Sequence, residues 1–184
     1  KDEPLELWRV KVSNPGGRTR KLSIYPYFTV GYMSWMNQSG EYREELQGIV
    51  ASSITPYQKY PDYFKIKEFK DKTFLIADKT PTAWEANSEA FEGEGGIGSP
   101  SALRLETLAK GDARYETPVA VLQYRMELAA DEEREYRFVF GPARTEDEVA
   151  EIRRAYFLEK NEQGEDGFTV AAREYDAYIS AGKG

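Results

Sequence analysis

The chain has 184 residues, a formal net charge of −7, 40% hydrophobic and 14% aromatic residues, and neither cysteine nor histidine. That is enough chain to bury a core as one large domain or two small ones, but a disulfide framework, a thiolate nucleophile, a Ser-His-Asp triad, an imidazole base and a His/Cys zinc site are excluded. The acidic balance argues against nucleic acid, no apolar run is long enough to span a membrane, and no leader is visible, which sets a cytoplasmic expectation.

The N-terminal stretch alternates. Trp8, Val10 and Val12 share one face, and Arg9 and Lys11 share the other. This is the two-residue period of a half-buried strand. Asn14-Pro15-Gly16-Gly17 reads as a turn, and Leu22, Ile24 and Phe28 continue as a second strand whose end Pro26 demotes to an edge or bulge. The pattern predicts a hairpin over 5–28.

Residues 31–63 are aromatic and irregular. Tyr32, Trp35, Tyr42, Tyr57, Tyr60 and Tyr63 are interrupted by Gly31, Gly40, Gly48, Pro56 and Pro61. Short strands joined by long loops fit, with one strand at 49–54 and another at 73–77. Trp35, Tyr32, Tyr57 and Tyr60 could stack on a pyranose, although core packing is the commoner use of such rings. Lys65, Lys67, Lys70 and Lys72 lie between Phe64, Ile66, Phe69 and Phe74. They read as a solvated face, diluted by Glu68 and Asp71.

Gly93-Glu94-Gly95-Gly96-Ile97-Gly98 matches G-x-G-x-x-G in letters only. No buried strand precedes it, Pro100 stands where a helix should begin, and Glu92 and Glu94 would repel a pyrophosphate. A glycine loop between strands is the simpler reading. The neighbouring acids Glu92 and Glu94, Glu44 and Glu45, and Glu165 and Asp166 read as solvated surface acids, since a glycosidase needs carboxylates facing across a bond.

Ala120, Leu122, Tyr124, Met126 and Leu128 alternate with Val121, Gln123, Arg125 and Glu127. After the polar turn Ala129 to Glu133, Tyr136, Phe138 and Phe140 alternate with Arg137 and Val139. This predicts a second hairpin with one face inward. Beyond Gly141-Pro142, Thr145 stands three residues before Glu148, and Val149, Ile152 and Tyr156 follow at helical spacing. An amphipathic helix over 145–159 is expected. Asn161 to Gly167 is a polar break, and Ala171, Tyr175, Tyr178 and Ile179 suggest a further helical segment.

Three groups of segments, taken in order, carry a family resemblance: Trp8 to Pro15 with Arg20 to Tyr27, Ala90-Phe91-Glu92-Gly93 with Pro100 after the glycines, and Leu122 to Leu128 running to Phe138-Val139-Phe140-Gly141. Over about residues 5–157 the chain resembles the non-catalytic β-sandwich of glycoside hydrolase family 94, the inverting cellobiose, cellodextrin, laminaribiose, chitobiose and β-1,2-oligoglucan phosphorylases and the related cyclic β-1,2-glucan synthases. Thr55 to Lys59 and the loop Phe91 to Gly96 are most similar to the β-1,2-glucan members.

The resemblance implies a mainly β fold, an antiparallel super-sandwich like that of galactose mutarotase, over 1–144. A helical linker over 145–184 would lead to an (α/α)6 catalytic barrel outside this chain. It implies that the sandwich is incomplete and lacks upstream strands. It implies no cofactor, with inorganic phosphate as co-substrate, and no catalytic residue here, because the general acid belongs to the barrel. The expected partners are a β-glucan oligosaccharide, the remaining domains of the same enzyme and a second copy in a homodimer. In such dimers a loop of this domain reaches the neighbouring active site, and here it would run from Phe91 to Ser99. Glu92, Glu94, Gly95, Gly96 and Ile97 are therefore the candidate substrate-binding residues. A free carbohydrate-binding module and the sandwich of a cyclic β-1,2-glucan synthase are alternatives. A mutarotase is disfavoured because such enzymes rely on a His and a Glu.

Overall fold

A computed structural model describes residues 4–30, 38–53 and 72–182. The stacking candidates Tyr32, Trp35, Tyr57 and Tyr60, the segment Thr55 to Lys59 and most of the lysine-bearing stretch 65–72 lie outside the described residues. The strands are β1 (Glu6–Ser13), β2 (Arg20–Ile24), β3 (Tyr27–Thr29), β4 (Gln38–Arg43), β5 (Gly48–Ser53), β6 (Lys72–Ala77), β7 (Ala83–Asn87), β8 (Ala113–Arg114), β9 (Pro118–Leu128) and β10 (Glu133–Ala143). The helices are α1 (Ser88–Glu92), α2 (Glu146–Arg153) and α3 (Gly167–Ser180), with 3-10 turns at Gly93–Gly95 and Ser101–Arg104 and a π-helical turn at Arg154–Leu158. This mainly antiparallel β architecture matches the fold class expected from the sequence.

Two sheets face each other. The large one has the order β1-β10-β6-β5-β4-β8, and the small one sets β2 and β3 along β9, with β7 also pairing β9. Neither expected hairpin forms. β1 pairs with β10, from Glu6 opposite Phe140 to Ser13 opposite Glu133, while β2 pairs with β9, from Arg20 opposite Leu128 to Ile24 opposite Tyr124. The segments 14–19 and 129–132 therefore carry the chain from one sheet to the other, as two arches lying side by side. Alternation specifies a strand and its buried face, but an arch and a hairpin satisfy it equally well.

Asn14 explains why the arches hold together. It is 2% exposed. Its side-chain nitrogen lies 2.9 Å from the Arg18 carbonyl, 3.1 Å from that of Leu128 and 2.8 Å from that of Ala129. Its backbone N–H donates to Glu132 at 2.9 Å, and its carbonyl accepts from Asp131 at 2.8 Å. Pro26 interrupts the edge of the small sheet between β2 and β3, as its missing donor requires, while its carbonyl still accepts from Leu122 at 3.1 Å.

The space between the sheets is filled by Ile49, Leu75, Ala120, Leu122, Tyr124, Met126, Leu128, Tyr136 and Phe138. Phe28 stacks on Phe140 with ring centroids 3.8 Å apart, and Trp8 lies 4.4 Å from Phe28. Both outer faces are covered too. Phe74, Ile76 and Val139 of the large sheet pack against Val149, Ile152, Phe157 and Phe168 of the C-terminal helices. Ala83, Val119 and Val121 of the small sheet pack against Phe91, Ala102 and Leu108. Val121, Gln123 and Val139, expected on outward faces, are consequently fully buried. One inward face accounts for β9 only toward its C-terminal end, where Arg125 and Glu127 are exposed.

Thr145 caps α2, its hydroxyl accepting from the Glu148 N–H at 3.1 Å. The α-helix is shorter than the expected 145–159, because the chain widens into the π-helical turn, where the Glu159 N–H reaches the Arg154 carbonyl at 2.8 Å. Among the described residues no helix is long and apolar enough to cross a membrane.

Candidate functional site

The glycine segment follows a helix, in place of the strand that a dinucleotide loop needs. The Asn87 side chain accepts from the Ala90 N–H at 3.0 Å, which nucleates α1 in the manner of an N-cap. Phe91 then plants the helix in the small sheet's outer layer at 2% exposure, with the Tyr27 ring 5.3 Å away.

One carboxylate locks this anchor. Glu92 Oε1 accepts from the Tyr27 hydroxyl at 2.7 Å and from the Ser88 hydroxyl at 3.1 Å. Burial, followed by the bond to the Glu92 carboxylate, pushes the Tyr27 hydroxyl well above its ordinary value of 10. Glu92 is thus no solvated acid. It holds the root of the loop in place.

Two glycines then shape the loop. Gly93 has φ +54°, and a Cβ there would lie 2.5 Å from Ser101 Oγ; Gly96 has φ +56° with open space around it. With ψ of −152° and −166°, both occupy a region that L side chains avoid. The Gly96 N–H donates to the Gly93 carbonyl at 3.3 Å, and the Ser99 N–H donates to the Gly96 carbonyl at 3.2 Å. Where an open glycine loop between strands was expected, the chain makes a compact 3-10 turn between two helical pieces.

Among the candidate residues, Glu94 and Gly95 are exposed, Gly96 is partly covered and Ile97 is 64% exposed. The segment presents a carboxylate, backbone amides and an aliphatic side chain on a fixed root. It can accept hydrogen bonds from hydroxyls and cover an apolar ring face. Within 91–99 its carboxylates are Glu92, tied to Tyr27 and Ser88, and Glu94, which is exposed.

Sequence reading missed the residues that hold this loop, namely Tyr27, Ser88 and Ser101. The Asn87-Ser88-Glu89 start, a cap followed by an acid, was a usable signal for α1. It also missed a second polar centre. Asp166, expected as a surface acid, is 8% exposed and pairs with Arg137 at 2.8 Å, while Arg137 pairs with Asp78 at 3.0 Å. Glu165, beside it, pairs with Arg173. Glu85 is buried as well. Burial raises its carboxyl above the ordinary carboxylate value, against N–H groups including that of Asn87 at 3.1 Å. Among the described residues no cluster of acids could hold a metal ion.

Comparison with known proteins places this geometry. Cellobionic acid phosphorylase of Neurospora crassa is 52% identical over 179 residues, 97% of this chain and 22% of that protein. A 3-O-beta-D-glucopyranosyl-beta-D-glucuronide phosphorylase of Paenibacillus borealis is 24% identical over 94% of this chain and 22% of its own length. Solabiose phosphorylase of the same species is 27% identical over 83% of this chain and 20% of its own length. The chain therefore spans about a fifth of these relatives. The model of the glycosyl hydrolase 94 supersandwich domain matches residues 1–157. With its two facing antiparallel sheets and helical outer layers, the chain belongs to the supersandwich domain family of glycosyl hydrolase 94.

Proposed function

We propose that this domain is the non-catalytic, carbohydrate-associated sandwich of an inverting β-glucoside phosphorylase, serving as scaffold, dimer contact and active-site loop. In the parent reaction inorganic phosphate attacks the anomeric carbon and the glycosidic oxygen leaves protonated, giving α-glucose 1-phosphate without a cofactor. The observation that carries the reading is the 52% identity to a cellobionic acid phosphorylase across nearly the whole chain. The anchored loop supports the binding role, because Glu94 and Ile97 are presented outward on a root fixed by Phe91 and Glu92. The exposed stripe Tyr175, Tyr178 and Ile179 on α3 supports contact with further domains.

The relatives' names choose the first substrate to assay. Two of the three name an acid or a glucuronide, so a β-glucoside whose acceptor carries a carboxylate comes before the β-1,2-glucans. The 184 residues alone, incubated with cellobionic acid and phosphate, release no sugar phosphate, whereas the full-length parent does. In the parent, Glu94→Ala raises KM. Turnover by the isolated domain overturns the proposal.

A further inference from the structure

A groove of about 590 Å³ runs along the outer face of the small sheet where the layer of α1 and the 3-10 turns ends. Ser23 on β2 and Arg125 on β9 stand opposite each other on its floor, Thr82 and Tyr25 line it, and Leu105 and Glu106 form a wall. We propose that this groove binds a neutral oligosaccharide. The class of sugar rests on the function proposed above, but the chemistry of the groove is its own.

Charge comes first. Arg125 pairs with Glu106, and Lys21 pairs with Glu127 at 3.7 Å, so cations and acids balance and the groove selects for neither ion. It offers instead hydroxyls and shared charged groups at short spacing. The Tyr25 oxygen accepts from Gln123 Nε2 at 3.0 Å, a bond that does not use the hydroxyl's own proton. Leu105, 53% exposed, adds an apolar surface next to these groups. Donors and acceptors beside an apolar wall are what a ring with equatorial hydroxyls and axial C–H bonds can use.

The groove is also preorganised. Gln123 is fully buried, yet its amide is spent entirely on the groove's frame. Besides Tyr25 it bonds the Glu106 carbonyl at 3.0 Å and accepts from the Leu108 N–H at 3.0 Å. The wall is therefore tied to the floor by one buried side chain, and binding need not order it.

The test is an amide NMR titration of the 184-residue chain with cellotetraose, with sorbitol as control. Saturating shifts are expected at Ser23, Tyr25, Leu105 and Arg125. Arg125→Ala and Glu106→Gln, both at exposed positions, each weaken binding by about tenfold, the loss expected from one charge-assisted hydrogen bond. Shifts confined to Glu94 to Ile97, no shifts at all, or an equal response to sorbitol overturn the proposal. The phosphorolysis assay of the parent reports separately on the function that supplies the sugar class.

Discussion

Arg137 donates to Asp166 at 2.8 Å and so fastens the N-cap of α3 to the outer face of β10. The Asp166 carboxylate in turn accepts from the Thr169 N–H at 2.9 Å, and the guanidinium also lies 5.4 Å from the Phe168 ring. With Asp78 on the other side, the three side chains are only 10–19% exposed. Arg137→Met leaves two nearly buried carboxylates without a counter-charge. A loss of about 3 kcal/mol in urea unfolding is expected, with α3 losing the most hydrogen-exchange protection.

Acid should act through this cluster and through the separate Arg43–Glu146 pair. Burial works to raise the Asp166 carboxyl, but Arg137 and Thr169 outweigh it and hold it below its ordinary 3.8. Arg43, bonded at 2.9 Å, holds Glu146 below its ordinary 4.5. Both are acids with depressed native values, so their stabilisation is complete above the ordinary values and is lost as pH falls through the native ones. The urea midpoint should fall below about pH 4. Asp166→Asn, which keeps a capping oxygen, should flatten that acid limb.

The arches make Asn14 a sensitive polar position. Asn14→Ala strands buried carbonyls and is expected to cost about 2 kcal/mol. Asn14→Asp should cost more, because an ionised carboxylate can only accept and would face the Arg18, Leu128 and Ala129 carbonyls. Chemical denaturation of the two variants ranks them, and an Asp variant more stable than the Ala one would sink this account.

Gly93→Ala and Gly96→Ala separate strain from crowding. Both positions have positive φ, and each substitution should cost about 1–3 kcal/mol for the backbone alone. Gly93 adds a clash with Ser101, whereas Gly96 faces open space. The Gly93 variant should therefore melt lower than the Gly96 variant.

Tyr27→Phe removes the hydroxyl that grips Glu92 but keeps the ring against Phe91. About 1 kcal/mol of stability should go. Amide exchange over 93–99 should rise while β9 and β10 stay protected.

Much of the fold was legible because alternation and caps are local signals. β9, β10 and the Thr145 cap follow from residue spacing alone. Partner choice was not legible. Trp8-Val10-Val12 and Leu22-Ile24 show which faces are buried, but nothing near them says that their partners lie beyond residue 118. The buried polar residues failed for a related reason. Asp166 and Gln123 look like surface residues until a helix or a 3-10 turn, placed by distant contacts, covers them. The loop 91–99 was found through its glycines and the family resemblance, but its root was not, because Tyr27 and Glu92 are far apart in the chain.

The sheet-switching arches also set a timetable. β1 finds its partner in β10, with Glu6 opposite Phe140, and β2 finds its partner in β9. As the chain is synthesised, these two pairings can close only after residues 118–143 have been made. Contacts this distant in sequence close slowly. The order in which these strands are synthesised is therefore not the order in which they pair.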